Sequence, residues 1–358
     1  STPKPSSAAS DVYKRQGFDI KFYSFIPTSR CIKFGLQKKC IVSLFGIIAP
    51  FLILRRIFPK LSWIHIKVQD FIMGIFMRKC DICISLTGYV YAPRIAQKKG
   101  AIIIMERGSK HILEQKKILE KNPHKKNEAI PNRNIKCNLK AYQFANFISV
   151  ASQHVKESFL LHQYPENRIF VNPYGVDLSM FKPLPNIPKK YDVIMVGGWG
   201  YEKGCDLIVE AIRKTNYSFI HVGSIKDVDF PQEKNFTHID PVDQSKLIEY
   251  YNQAKVFILP SRQDGFGMVL SQALACNLPI IGSNNCGAPD LKKMVELPEY
   301  ITIIKDYTAD AIVTAIHTAI KNYEQLGERI YAGNAIENLT WEAYGKRYAN
   351  FLHKIIKQ

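Results

Sequence analysis

The sequence predicts an α/β protein built from two doubly wound, parallel-sheet domains that face each other across a cleft. Short apolar segments alternate with amphipathic segments along most of the chain, as strands joined by crossover helices do. The alternation pauses in the proline-rich segment 175–190 and then restarts. A length of 358 residues with 46% hydrophobic residues suits two such domains, each with its own core.

The first sixteen residues are set aside from this pattern. Residues 6–16, SSAASDVYKRQ, resemble the translation of a transposase sequencing adapter over their whole length, so we interpret residues 1–16 as a non-native tail. The strand-like segment GFDIKFYSF then begins at Gly17 with no Met before it. We therefore expect the natural protein to begin further upstream.

The first domain is predicted to cover residues 17–187. Its predicted strands are GFDIKFYSF, CDICISL, AIIIME, NFISVAS and RIFVNPY. Its predicted helices are WIHIKVQDFIMGIFMRK, YVYAPRIAQKKG, GSKHILEQKKILEKN, CNLKAYQFA and QHVKESFLLHQ.

An apolar run in this domain, Cys40 to Leu54, allows three interpretations. It has 15 residues and contains Pro50, which is shorter than the roughly 20 residues that span a bilayer. We favour a helix buried beside the core. The alternatives are a helix in a membrane interface, with Arg55, Arg56 and Lys60 at the headgroups, and a true span.

The second domain is predicted to cover residues 188–340. Its predicted strands are YDVIMVGGW, YSFIHVGS, FTHIDP, KVFILPS, LPIIGS and YITIIKD. Its first two predicted helices are KGCDLIVEAIRKT and QSKLIEYYNQA, and a third follows DGFG. Three helical segments close the chain, and the last, 341–358, is predicted to complete the first domain.

The charge lies almost wholly in the first half. Residues 1–190 hold 32 Lys and Arg against 11 Asp and Glu, a net charge of +21, whereas residues 191–358 carry −3. An anionic membrane surface, nucleic acid, or no partner beside a Lys-rich genome could each account for this asymmetry. We favour the membrane, because no aromatic-basic interleaving typical of nucleic-acid modules is present.

The eight cysteines are scattered, as in a protein of the reducing cytoplasm. Cys80 and Cys83 form a C-x-x-C at the start of a predicted buried strand, and no second pair completes a zinc set. We expect them to be structural, and we expect no metal site.

The segment DGFGMVLSQ carries the strongest chemical signal. Gly265 and Gly267 follow a predicted strand and let the backbone approach a ligand closely. The helix that starts near Met268 points its positive end at the same place, which makes a phosphate cradle. Asp264 can accept hydrogen bonds from hydroxyls, and Gln272, about one turn into the helix, can accept or donate. A nucleotide-sugar has the diphosphate and hydroxyls that such a site fits.

A second loop of this kind, VGGWGYEKG, opens the second domain. Gly197, Gly198 and Gly200 open the backbone, and Lys203 adds a positive charge. Two such loops at strand ends of one domain indicate a phosphate site more strongly than either alone.

With these segments, residues 17–358 resemble the retaining GT-B glycosyltransferases of family 4. The matching segments are EKGCDLIVEAI, QSKLIEYYNQAKVFILPS, DGFGMVLSQALACNLPII and NPYGVDLSMFKP, the last containing Gly175. The resemblance implies transfer of a sugar from a nucleotide-diphosphate sugar to a hydroxyl acceptor with retention and without a metal or other cofactor.

The resemblance also assigns residues. It implies that Lys203 neutralises the donor diphosphate, that Asp264 touches the donor sugar, and that Gln272 touches the ribose. The backbone of Phe266 and Gly267 would line the diphosphate site. The upstream segment would supply a first strand and another glycine-rich loop.

Three departures from the family pattern bear on activity. The family has glutamates where this chain has Asp264 and Gln272, and an arginine where it has Gly198. In IIIMERGSKHI, Glu106 occupies roughly the slot of the family's catalytic histidine, and His111 follows five residues later. A subset of the family has RGS-x-H here, so Arg107, Ser109 and His111 are further candidates.

The sequence therefore predicts a glycosyltransferase of bacterial envelope polysaccharide or glycolipid synthesis, cytoplasmic or peripheral on the inner membrane face. The alternative is a catalytically inactive module of the same fold that binds nucleotide-sugar or membrane.

Overall fold

The structure is a computed structural model that describes residues 17–33, 35–58, 64–124, 130–327 and 329–357. The adapter-like residues 6–16 and Lys60 lie outside the described residues. The predicted α/β class is confirmed, since the paired strands of the described residues are parallel and most consecutive strands are joined by helices.

The described residues of the first half form six short strands. They are Phe22–Ser24 (β1), Ile41–Ser43 (β2), Ile82–Leu86 (β3), Ile102–Arg107 (β4), Phe147–Val150 (β5) and Ile169–Val171 (β6). β3 to β6 form one sheet in chain order, and β1 pairs only with β2. The residues of β2 are ones for which we predicted a helix.

Seven helices lie in the described residues of this half. They are Thr28–Lys33 (α1), Phe45–Ile57 (α2), His65–Ile75 (α3), Tyr91–Lys98 (α4), Ile112–Leu119 (α5), Asn132–Phe144 (α6) and Gln153–Leu160 (α7). Asp70 of α3 fixes the start of α4, because its carboxylate accepts backbone N–H bonds from Val90, Tyr91 and Ala92 at 2.7–2.8 Å. These bonds satisfy donors that a helix start leaves unpaired.

The second half has a six-stranded sheet. Its strands are Tyr191–Val196 (β7), Phe219–Val222 (β8), Phe236–Ile239 (β9), Ala254–Leu259 (β10), Ile280–Ser283 (β11) and Ile301–Ile304 (β12). Their order in the sheet is β12-β11-β10-β7-β8-β9. The strands are almost continuously apolar and buried, as in parallel sheets covered on both faces.

The remaining helices flank this sheet or return to the first one. They are Cys205–Arg213 (α8), Gln244–Asn252 (α9), Met268–Ala275 (α10), Ala288–Lys292 (α11), Ala309–Leu326 (α12) and Trp341–Ile356 (α13). α13 packs on the first sheet, where Tyr344, Tyr348 and Leu352 form a cluster with Ile104 of β4.

The return of α13 depends on close backbone contact at Gly175. A Cβ atom there would lie 2.5–2.7 Å from backbone atoms of Thr340 and Trp341. Beside it, the Asn172 amide donates to the Tyr344 carbonyl, and its Oδ1 accepts from Arg347 Nε at 2.7 Å. Segment 172–176 and α13 are thus tied together where the chain crosses between the two sheets.

Helices α2 and α3 carry an exposed apolar surface. Within the apolar run only Cys40, Leu44 and Ile48 are buried, so the predicted buried helix is wrong for most of the run. We call the following residues the α2–α3 surface: Ile47, Ile53, Leu54, Ile57, Phe58, Ile66, Phe71, Ile75 and Phe76, all exposed. In the described part of the chain, every helix is too short or too polar to cross a bilayer.

The contact at Gly175 generates a stability prediction. Gly175→Ala adds a methyl group against backbone that cannot move aside, so we expect the free energy of unfolding to fall by about 1–3 kcal/mol. Urea unfolding followed by circular dichroism measures this.

Gly46→Ala is the matched control, because Gly46 lies in α2 and nothing lies within 4 Å of its Cβ position. It should be neutral or stabilising by about 0.5–1 kcal/mol. Equal stabilities of the two variants would contradict the close approach of α13.

Candidate functional site

A cavity of the second half lies where the strand order of its sheet reverses. β7 and β10 are neighbours, but the chain continues from β7 to β8 on one side and from β10 to β11 on the other. The loops after the two strands therefore diverge, and ligands of open α/β sheets bind in such crevices. The cavity measures about 300 Å³. Six residues predicted from the sequence line it: Gly197, Lys203, Asp264, Gly267, Met268 and Gln272.

An ion pair crosses this cavity. Lys203 Nζ lies 2.6 Å from Asp264 Oδ2, and each side chain is about four-fifths buried. Burial by itself lowers the pKa of Lys203, but the Asp264 carboxylate and then Glu202 more than offset this, and the net effect raises the pKa. Lys203 therefore stays protonated at neutral pH, next to a carboxylate that can accept hydrogen bonds.

The start of α10 faces the same cavity. Gly267 precedes the helix with φ of 81°, a left-handed conformation that favours glycine. The first N–H groups of any helix lack acceptors within the helix, so this end can hold an anion. The Phe266 ring is buried edge-on to Tyr174, and its carbonyl accepts from Gly287 N at 2.7 Å, which fixes the loop.

Gln272 is held by a tyrosine that sequence reasoning did not identify. Its Oε1 accepts from the Tyr251 hydroxyl at 3.0 Å, and both side chains are buried. Tyr251 lies near the end of α9, about 21 residues upstream, so only the tertiary structure reveals this contact.

The Lys226 side chain occupies the space beside Gly198, the position at which the resembled family has an arginine. A Cβ atom on Gly198 would be 2.9 Å from Lys226 Nζ, because the Lys226 side chain lies across the Gly198 backbone. Lys226 N also donates to the Trp199 carbonyl at 2.9 Å, which ties the segment after β8 to the glycine loop. No motif in the sequence marks Lys226, since it is a lone lysine in GSIKD.

The two halves of the chain meet at the DGFG loop. The Ser152 hydroxyl donates to the Gly265 carbonyl at 2.6 Å, and Lys110 Nζ donates to Asn285 Oδ1 at 2.7 Å. A Cβ atom on Gly265 would collide with the Gly108 carbonyl, so no side chain fits there. The DGFG loop, whose Asp264 and Gly267 line the cavity, thus packs against the 106–111 loop of the first half.

Within that loop, Arg107 and Ser109 hold the backbone in place. Arg107 donates to the Lys110 carbonyl, Asn138 Oδ1 and Gln115 Oε1, and the Ser109 hydroxyl donates to the same Gln115 oxygen. The Arg107 guanidinium is thereby committed to the loop and to its flanking helices.

His111 and Glu106 have different surroundings. His111 is buried and stacked on His162 at 4.0 Å, and burial, followed by the charges of His162 and Arg107, lowers its pKa to about 3. It precedes α5 as a neutral ring with Nδ1 towards Leu113 N. Glu106 ends β4 near Tyr174, whose pKa is raised by burial and then by the charges of Glu106 and Asp264.

His154 is a further buried group at this border. Burial and the charge of Lys110 lower its pKa to about 3, and it lies near Asp264. Its imidazole is neutral at physiological pH. The sequence QHVKES offers no signal for it, because a single helix histidine is common.

The described residues contain no cluster of three or more His, Cys, Asp or Glu suited to a metal ion. Cys83 is buried in β3, and burial followed by the charge of Cys80 raises its pKa to about 12, so it is an inert thiol.

Comparison with known proteins agrees with this geometry. Residues 179–335 match the family model of glycosyl transferases group 1. The chain is 26% identical over 242 residues to a probable sucrose-phosphate synthase of Thermosipho melanesiensis, covering 60% of this chain and 56% of that protein. It is 23% identical to a GDP-mannose-dependent α-(1-6)-phosphatidylinositol monomannoside mannosyltransferase of Mycolicibacterium smegmatis, covering 58% and 62%. The chain thus spans less than two thirds of either relative.

Solved structures show the same architecture. Anabaena HepE, in complex with UDP and glucose, superposes with a TM-score of 0.64 at 14% identity, covering 98% of this chain and 97% of that one. The sucrose-phosphate synthase of Thermosynechococcus elongatus gives a TM-score of 0.58 at 16% identity, covering 77% and 74%. The chain therefore has the GT-B fold, and its residues 179–335 form a glycosyl transferases group 1 domain.

Proposed function

We propose that this protein is a retaining glycosyltransferase that moves a sugar from a nucleotide-diphosphate sugar to a hydroxyl acceptor in the synthesis of a bacterial envelope polysaccharide or glycolipid. The observation that carries the proposal is the Lys203–Asp264 pair in a cavity at the strand-order reversal, beside the start of α10. A cation and helix N–H groups bind diphosphate, and a carboxylate binds sugar hydroxyls.

In this mechanism the diphosphate leaves while Lys203 and the N–H groups of the glycine loops neutralise its developing charge. The acceptor hydroxyl attacks the sugar from the face that the diphosphate leaves. The departing phosphate oxygen takes the hydroxyl proton, so no side-chain base is needed. Lys203 supplies positive charge of the kind that a metal ion supplies in other transferases.

Lys226 is proposed as the second cation of this site. Its ammonium group lies beside Gly198, one residue from Gly197 of the cavity lining. This location offsets the positive charge that the chain lacks at position 198. The neutral His111 and the Glu106 carboxylate lie on the first-domain side, where an acceptor would enter.

The role of Lys203 gives the test of function. Lys203→Ala should lower kcat on the order of 10²–10³-fold in the full-length protein, because charge stabilisation of the leaving diphosphate is lost. The assay measures nucleoside diphosphate release from UDP-glucose and GDP-mannose with and without acceptor sugars. Lys156→Ala, which removes a surface ion pair with Glu166, is the control and should leave kcat unchanged.

An unchanged rate in Lys203→Ala would refute its role. Donor binding by the unmodified protein without turnover or hydrolysis would favour the catalytically inactive module instead.

The role of Lys226 gives a separate prediction. Lys226→Ala should lower kcat about tenfold, as expected for loss of roughly 1.4 kcal/mol of charge stabilisation. Adding Gly198→Arg to that variant should restore most of the rate, since the new guanidinium fills the space that Lys226 vacates. A double variant no faster than Lys226→Ala alone would contradict this assignment.

We propose further that the α2–α3 surface docks on an anionic membrane. The surface carries nine exposed large apolar side chains, a density typical of interaction sites. Between residues 38 and 80 the sequence has eight Lys or Arg and one acid, Asp70, whose carboxylate is buried at the start of α4. Apolar side chains with basic residues around them match an anionic lipid interface.

Vesicle binding tests the membrane proposal. We expect the protein to sediment with phosphatidylglycerol–phosphatidylcholine vesicles, and less with phosphatidylcholine alone or at high salt. Ile53→Ser with Ile57→Ser, both 64% exposed, should weaken binding at least tenfold, because each isoleucine contributes about 1.5 kcal/mol or more on insertion.

Leu161→Ser is the matched control, since Leu161 is 73% exposed but follows α7 and belongs to neither α2 nor α3. Equal loss of binding in both variants would refute the assignment. A change of oligomeric state in Ile53→Ser with Ile57→Ser, without any effect on vesicles, would show that a second copy covers the surface.

A further inference from the structure

The amide of Gln272 is oriented before any ligand arrives. Its carbonyl oxygen Oε1 is occupied by the Tyr251 hydroxyl at 3.0 Å. Tyr251 is fully buried, edge-on to Phe181 at 5.9 Å and near Phe257, so its ring is fixed, and its hydroxyl lies closer to the Gln272 oxygen than to the Val269 carbonyl at 3.4 Å. Gln272 is 6% exposed and lines the cavity. The amide nitrogen is therefore the end that remains for a ligand.

This orientation changes what the residue can recognise. A carboxylate at this position would accept hydrogen bonds from both hydroxyls of a ribose, because it has acceptor capacity on two oxygens. An amide nitrogen can only donate. It can bond to any ribose oxygen, and it requires no hydroxyl hydrogen from the ligand.

The other residues that line the cavity offer few groups that could replace a carboxylate as an acceptor for the ribose hydroxyls. Asp264 is the single carboxylate among the described residues of the lining, and it is paired with Lys203. The other polar side chain near α9 is Gln244, a second amide, and Val242 and Leu247 beside it are apolar.

We propose that Gln272, held by Tyr251, makes this site indifferent to the ribose 2′-hydroxyl, so that it takes 2′-deoxyribonucleoside diphosphate donors as readily as ribonucleoside ones. The inference rests on the proposed function, because it places the nucleoside diphosphate in this cavity. A site built to bond a ligand hydroxyl rejects the analogue that lacks it, since a buried polar group is then left unpaired. Here the Gln272 carbonyl oxygen already has its partner in Tyr251, and the amide nitrogen can bond another ribose oxygen when O2′ is absent.

The experiment compares dissociation constants of UDP with 2′-deoxy-UDP, and of GDP with 2′-deoxy-GDP, by isothermal titration calorimetry on the full-length protein. The unmodified protein should bind the two members of each pair within about threefold. Gln272→Glu should prefer the ribonucleotide by about tenfold, roughly the 1.4 kcal/mol of one added hydrogen bond to a charged group.

Tyr251→Phe tests independently whether Tyr251 orients the Gln272 amide. It keeps the ring and its packing but frees the Gln272 oxygen to face the ligand, so the ribonucleotide preference should rise above that of the unmodified protein. Thermal unfolding checks that this variant is folded, and Gln272→Glu carries the test if it is not.

Three outcomes bear on the inference. A tenfold or larger ribonucleotide preference in the unmodified protein overturns it, and so does an unchanged ratio in Gln272→Glu. If none of the four nucleotides binds, the proposed function fails and the inference falls with it. Binding that Lys203→Ala weakens equally for both members of a pair supports the proposed function whatever the ratio.

Discussion

The ion pair between Lys203 and Asp264 joins the two loops on which the site depends. Lys203 ends the glycine loop after β7, and Asp264 begins the DGFG loop after β10. The two strands are neighbours at the point where the sheet order reverses, so their loops would diverge without a link. The pair holds them at 2.6 Å and leaves a cation and a carboxylate in one cavity. A diphosphate-sugar offers each of them a new partner.

The rest of the site is arranged around the DGFG loop. Gly265 allows the Gly108 backbone to come close, and the Ser152 hydroxyl bonds the Gly265 carbonyl. The same loop therefore forms part of the ligand cavity and of the contact between the two halves of the chain. A shift of one half relative to the other would move Asp264, so under the proposed function donor binding and domain closure would be coupled through this loop.

The departures from the family pattern have a physical counterpart in the structure. The Lys226 side chain fills the space beside Gly198, and the Tyr251 hydroxyl donates a hydrogen bond to the Gln272 carbonyl oxygen. In both places a residue distant in sequence contacts the position that departs from the family pattern.

The sequence by itself predicted the fold class and the main residues of the candidate site. The alternation of apolar segments predicted the parallel α/β class, because strands and crossover helices have different periods. The motifs DGFG and EKG placed Asp264 and Lys203 after strands and Gln272 in the helix that follows. The sequence alone did not show that β2 breaks the apolar run or that α2 leaves Ile47, Ile53, Leu54 and Ile57 exposed. It also could not show that Tyr251 contacts Gln272, that Lys226 lies against Gly198, or that α13 packs at Gly175. These features depend on contacts between residues far apart in the chain, and only the tertiary structure decides which side chain occupies a given space.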